Sequence, residues 1–157
     1  MVYSALVVSN NILRRAFESG ADVTPMKLQK LVYLTASEYA TATGTHLVAD
    51  SFEAWEYGAA SRVIFDKFVP FGGAGISKYA KDAMDVANMV DEAAQPEVHD
   101  AIERVWRLGQ YLSPVELARL TRRTDSAWYK AWVAKTSIQF DDMVADITYR
   151  DRLGIDA

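Results

Sequence analysis

Cysteine is absent from the 157 residues and histidine occurs only at His46 and His99. Thiol nucleophiles, thiolate metal sites and disulfides are thereby excluded. His46 stands beside a turn and His99 falls in the first turn of a helix, each without a second histidine or a carboxylate at ligand spacing, so both read as surface residues. Asp141, Asp142 and Asp146 are close enough to hold a divalent cation or share a proton. Two of them stand where a helix should begin and would complement its dipole, while Asp146 fits its solvated face, which favours a structural reading. Gly72, Gly73 and Gly75 lack the lysine and Ser/Thr of a phosphate-binding loop. Arg122, Arg123, Lys130 and Lys135 interleave with Trp128, Tyr129 and Trp132, a mixture that could stack bases and hold phosphates. Tryptophan and arginine are equally the residues of protein-binding hot spots, and tryptophans at i,i+4 commonly pack into a core. Core packing ranks first, protein contact second and nucleic acid third. The residues point to no catalytic constellation, metal or cofactor, and the chain is expected to be non-enzymatic.

Composition supports that ranking. Seventeen basic and twenty-one acidic residues give a net charge of −4, which argues against a broad phosphate-binding surface. Half of the chain is hydrophobic, enough for one sizeable core, so residues 1–157 are expected to form a single domain. The opening MVYSALVVSNNILRRAFESG has no basic segment before its apolar run, and Asn10, Asn11, Arg14 and Arg15 interrupt that run early. A soluble, cytoplasmic chain is expected, with no membrane partner.

The elements that must position these residues are mostly helical. Leu6, Leu13, Ala16 and Phe17 share one helical face and Asn11, Arg14, Arg15 and Glu18 the other, which predicts a helix over residues 4–19 stopped by Gly20. Thr24 as N-cap, Pro25 at the first position and a Val23–Leu28 staple predict a second helix from Pro25 to about Thr43, closed by Gly44. Leu28, Leu31, Val32, Thr35 and Tyr39 share a face, but Met26, Tyr33 and Leu34 lie off it. This helix should therefore be covered on more than one side and be central to the fold, with Lys27, Lys30 and Glu38 in the remaining solvent gap. Lys30 could lay its stem over Tyr33 or Leu34 in the manner of a snorkelling lysine, or face a partner.

From His46 to Gly58 the pattern alternates, with Phe52 and Ala54 on one side and Glu53, Trp55 and Tyr57 on the other, as in a short strand or hairpin arm. Ser61 to Phe68 reads as a brief helix, the glycine-rich segment after Pro70 as a turn, and Ile76 to Tyr79 as a second short strand. A helix is predicted at Ala83 to Val90. Val98, Ala101, Ile102, Val105, Leu108 and Leu112 form a regular stripe, and Ser113-Pro114-Val115-Glu116 is a capping box opening the next helix. Trp128 and Trp132 share a helical face, and a last helix should turn Phe140, Val144 and Ile147 inward. The fold class is mainly α (α+β), a helical domain around a central helix with a small β element.

Residues 25–58, PMKLQKLVYLTASEYATATGTHLVADSFEAWEYG, resemble the core signature of Panacea-domain (SocA-like) antitoxins and phage-associated proteins, a helix close to MKLQKLLY followed by EAWxYGP. The resemblance extends from Asn11 and Gly20 to Leu112-Ser113, Glu116-Leu117, Leu120-Thr121 and Trp128, matching a late LSxxELxxLTHxxxPW pattern. Three positions depart from it: Gly58-Ala59-Ala60 replaces Gly-Pro-Val, Arg122 replaces a histidine and Ala127 a proline. These mark a divergent member, of phage or prophage origin.

The resemblance implies an antitoxin that neutralises a co-encoded toxin by direct binding, or as an adaptor that delivers it to a host protease, with no catalytic residues. The alternatives are a phage protein that binds and inhibits a host protein, and a nucleic-acid-binding regulator. Lys30, Tyr33, Trp55, Tyr57, Arg62 and Trp128 are the expected partner-binding residues, aromatic anchors ringed by charge.

Overall fold

In the computed structural model, which describes residues 2–156, two capped helices come first, α1 (Ala5–Ser19) and α2 (Pro25–Thr43). The Ser4 hydroxyl accepts the Leu6 amide and the Thr24 hydroxyl the Lys27 amide, while Gly20 and Gly44 end the helices at φ 75° and 72°. A short antiparallel hairpin follows, β1 (Glu53–Trp55) and β2 (Gly58–Ala60), registered Glu53 to Ala60, Ala54 to Ala59 and Trp55 to Gly58. Then come α3 (Arg62–Phe68), a single 3₁₀ turn at Val69–Phe71, α4 (Pro96–Gly109), α5 (Pro114–Thr121), α6 (Ala127–Ala134) and α7 (Phe140–Ala145). The fold is mainly helical with one two-stranded sheet among the described residues.

Helix α2 is the axis on which most of the other elements pack. It touches α1, α3, α4, α5, α7 and β2, and every residue from Lys27 to Ala40 is buried. Multi-sided coverage was expected, but the solvent gap was not: Lys27, Lys30 and Glu38 are all buried. Each solves the cost of burial differently. Lys27 donates to the Gln110 carbonyl, and Glu38 accepts from Arg104 Nε at 2.8 Å and the Tyr149 hydroxyl at 2.7 Å, with Arg150 at 3.4 Å. Among the described residues Lys30 has only the Ala59 carbonyl, at 3.0 Å.

Between the 3₁₀ turn and α4 the chain has no helix or strand, contrary to the expected strand at Ile76–Tyr79 and helix at Ala83–Val90. The cause lies in α1, whose Asn10 and Asn11 are buried and not part of a solvated face. An asparagine amide presents one acceptor beside one donor, the same pair that a peptide group offers. Asn10 exchanges both with Ala80, and Asn11 both with Val90, at 2.8–3.0 Å. The Asp82 carboxylate takes the Met84 and Val86 amides, and Asp85 has φ 63°, so the local hydrogen bonding competes with a helix. Residues 76, 80 and 90 still bury their apolar side chains.

The same loop carries Glu92 into the polar side of α1, where it meets Arg14, Arg15, Asn11 and His99. The histidine that lacked a carboxylate by spacing acquires one by folding. Burial pushes the Glu92 carboxyl up, but the bonds from Arg15, Asn11 and His99 outweigh it and hold it down to about 2. A carboxyl depressed in the folded state stabilises above its unfolded value of 4.5, and that contribution disappears as pH falls from there towards about 2. Urea unfolding at about pH 6 and about pH 3 should therefore show a larger loss for the wild type than for Glu92→Gln. Equal losses would mean that Glu92 does not carry the acid sensitivity.

The C-terminal third follows the predicted corner and tryptophan pair, with one rearrangement. Ser113 and Glu116 form both halves of the capping box at 3.1 Å, and Trp128 stacks on Trp132 with centroids 5.1 Å apart. Leu108 lies partly exposed at the edge of its stripe, and in the last helix Met143 is buried while Ile147 is exposed. Asp146 is buried, accepting from the Ala127 amide, the Thr148 amide and the Thr148 hydroxyl. Its expected place on a solvated face is corrected because α7 ends at Ala145 and the chain turns inward to cap α6. No helix is long and apolar enough to cross a membrane among the described residues.

Candidate functional site

The hairpin is too short to be stable alone, and its position is fixed by side chains from three helices. From α2, Gln29 donates to the Ser61 carbonyl and accepts its amide, both at 2.8 Å, and Lys30 Nζ donates to the Ala59 carbonyl. The α5 end contributes Thr121 Oγ1, which accepts the Ala59 amide at 3.2 Å, and Arg122, which donates to the Glu56 carbonyl at 3.0 Å. From α6, Trp128 Nε1 donates to the Trp55 carbonyl at 2.7 Å. Two residues, Glu56 and Tyr57, make the turn, so the Gly58-Ala59-Ala60 segment is the return strand and not the turn itself.

Gly58 sits at the tightest point of this clamp. At φ +108° an L side chain is strained, and an added Cβ would lie 2.6 Å from Thr121 Oγ1, 3.1 Å from Lys30 Cε and 3.3 Å from the Ala118 carbonyl oxygen. Gly58→Ala is expected to cost roughly 2 kcal/mol and to loosen the hairpin, read as a lowered urea midpoint and faster exchange of the Ala59 amide. An unchanged midpoint and unchanged exchange would show that the clamp yields freely.

A cleft of about 310 Å³ opens between the fixed hairpin and α3. It is lined by Trp55 and Tyr57 from the hairpin, by Phe65 and Val69 from α3 and the turn after it, and by Met26, Lys30 and Ala60. Arg62 lays its guanidinium 4.7 Å from the Trp55 ring centroid, and Phe65 meets the same ring edge-on at 5.5 Å. Phe65, Val69 and Tyr57 are exposed large apolar side chains, and Trp55 is half-buried. The surface is thus apolar, aromatic and rimmed by a cation, the composition of a protein-binding centre.

Lys30 is 2% exposed, and among the described residues no carboxylate pairs with it. Burial, reinforced by the like charge of Arg122, lowers its ammonium pKa to about 8. Of the other expected partner-binding residues, Trp55 and Tyr57 line the cleft and Arg62 covers Trp55. Trp128, at 7% exposure, holds the hairpin from behind. Tyr33 is 1% exposed, packs edge-on against Phe52 in the core and is not among the residues that line the cleft.

Sequence reasoning missed Gln29, Thr121, Met26, Phe65 and Val69. Phe65 and Val69 left a signal, since they fall off the Ile64 and Phe68 face of a short helix and remain apolar. The basic and aromatic stretch proposed for nucleic acid is largely engaged internally. Arg122 binds the hairpin, Arg123 the Thr148 carbonyl and Asp151, and Lys130 pairs with Asp142 at 3.8 Å.

Residues 28–129 match the family model described as antitoxin SocA-like, Panacea domain, a span that includes the cleft's Lys30, Trp55, Tyr57 and Phe65 and ends one residue after Trp128. Antitoxin SocA of Caulobacter vibrioides is 27% identical over 127 residues, covering 79% of this chain and 68% of that protein. No solved structure matches significantly.

Proposed function

The chain belongs to the SocA-like antitoxin family with a Panacea domain, and we propose that it neutralises a co-encoded toxin by binding it directly through the cleft between the hairpin and α3. It acts by binding and not by catalysis, in the cytoplasm. The observation that supports this reading is the cleft itself: exposed aromatic and aliphatic walls on a hairpin clamped by three helices. A clamped surface presents its anchors with little ordering cost on association. The direct reading is preferred to delivery of the toxin to a protease because the cleft needs only one occupant.

Co-expression tests it. A neighbouring open reading frame should arrest growth alone and be silenced by this protein, with the toxin persisting in the cell as a stable complex. Trp55→Ala should relieve the silencing while leaving the protein folded. If no neighbouring frame is toxic, or toxicity survives co-expression, the antitoxin reading fails; if the toxin disappears from the cell instead of accumulating in complex, delivery to a protease replaces direct binding.

A further inference from the structure

The cleft pairs apolar walls with one buried cation, and this combination specifies more than hydrophobic contact. Lys30 has three N–H donors and one recorded acceptor, the Ala59 carbonyl. The charge of Arg122, of the same sign, acts on it, and Arg62 stands over the Trp55 ring. Among the described residues, none of the three is paired with a carboxylate, although Arg14, Arg15, Arg104, Arg123, Arg150 and Arg152 all are. A buried, uncompensated positive charge beside an apolar cavity is costly in the free protein and complementary to a buried negative charge in a complex.

We propose that the cleft recognises an acidic side chain flanked by a large apolar residue on a protein partner, the apolar residue packing against the joined Trp55 and Phe65 rings and the carboxylate pairing with Lys30. This deepens the proposed toxin-binding role and rests on it for the identity of the partner. A side-chain carboxylate is favoured over a chain terminus because terminal carboxylates are held by nests of free backbone N–H groups. Here the Ala59 and Ser61 amides are already taken by Thr121 and Gln29. The cavity of about 310 Å³ accommodates one large apolar side chain with the acidic group beside it.

The probes are three small peptides titrated into the full-length protein: acetyl-Phe-Glu-amide, acetyl-Phe-Gln-amide and acetyl-phenylalanine. Nuclear magnetic resonance of the Trp55 indole N–H, the Gly58 amide and the Lys30 ε-methylene reads their binding. The glutamate peptide is expected to saturate and to bind about tenfold more tightly than its glutamine analogue, as a charge-assisted bond replaces a neutral one. In Lys30→Met the two peptides should bind alike. Equal binding of the two to the wild type, or no saturable shift at Trp55, overturns the proposal, and tighter binding of acetyl-phenylalanine than of the glutamate peptide overturns the side-chain assignment. Failure here alongside successful toxin silencing would remove the carboxylate and leave the antitoxin reading intact, whereas failure of silencing alone would leave the cleft chemistry standing.

Discussion

Lys30→Met should leave the protein at least as stable near neutral pH and weaken toxin neutralisation by about a hundredfold or more. Those two effects run in opposite directions because a buried ammonium is a cost to folding. A lysine titrating at about 8 instead of 10.5 carries an electrostatic penalty of about 3 kcal/mol, little of it screened by water at 2% exposure. Methionine keeps the apolar stem and removes the charge. The loss is the bond to the Ala59 carbonyl, about 1–2 kcal/mol for a buried acceptor left without a donor. The balance favours the variant by roughly 1 kcal/mol.

The pH dependence supplies an internal check on that argument. A lysine whose folded pKa is lowered penalises the folded state while the ammonium persists, and the penalty fades as pH rises from about 8 towards 10.5. Urea unfolding of the wild type should therefore gain on Lys30→Met between about pH 7 and about pH 10. A variant that is less stable throughout, with neutralisation falling only in proportion to its folded fraction, would make Lys30 a structural residue. Neutralisation equal to the wild type would remove it from the site.

Glu38→Ala should be the most damaging single change to the fold, costing about 3–5 kcal/mol. Its carboxylate sits in the middle of α2 and receives Arg104 from α4 together with Tyr149 and Arg150 from the C-terminal segment. Removing it leaves two neighbouring guanidinium groups without their shared carboxylate and a buried tyrosine hydroxyl with no acceptor, so the desolvation already incurred at Tyr149 is no longer offset. For a domain whose total stability is of order 5–15 kcal/mol, this is a large fraction, and the Tm should fall by roughly 10 °C or more. In an Arg104→Ala background the same change should cost at least 1 kcal/mol less, because one orphaned charge is gone. Additive losses would show that the network does not act as a unit. Glu38 lies two helical turns from Lys30, so toxin binding per folded molecule should be unaffected.

The three buried charges of α2 also show where sequence reasoning reached its limit. A helical wheel ranks faces by apolar content, so it placed Lys27, Lys30 and Glu38 in the least apolar sector and assigned that sector to solvent. The sector is instead closed by elements distant in sequence: β2 with Ala59, the α4 end with Gln110, and the C-terminal turn with Tyr149. Asn11 was misplaced for the same reason, its partner Val90 lying 79 residues away. The helix expected at Ala83–Val90 failed because Asn10 and Asn11, with Asp82, offered the backbone better hydrogen bonds than a helix could.

By itself the sequence determined the caps, the stops and the central place of α2, because capping and periodicity are local and a short stretch of chain contains all the groups involved. Thr24, Gly44 and the Ser113–Glu116 box needed nothing from elsewhere. It also carried the family signature and two of the residues that line the cleft, Trp55 and Tyr57. Only the tertiary structure decided that Tyr33 is core, that Trp128 and Arg122 hold the hairpin from behind, and that Phe65, packed on Trp55, lines an open cleft together with Val69. It decided, too, that Lys30 is a buried cation with no anionic partner among the described residues, since a charge is paired or unpaired according to what the fold brings within a few ångströms of it.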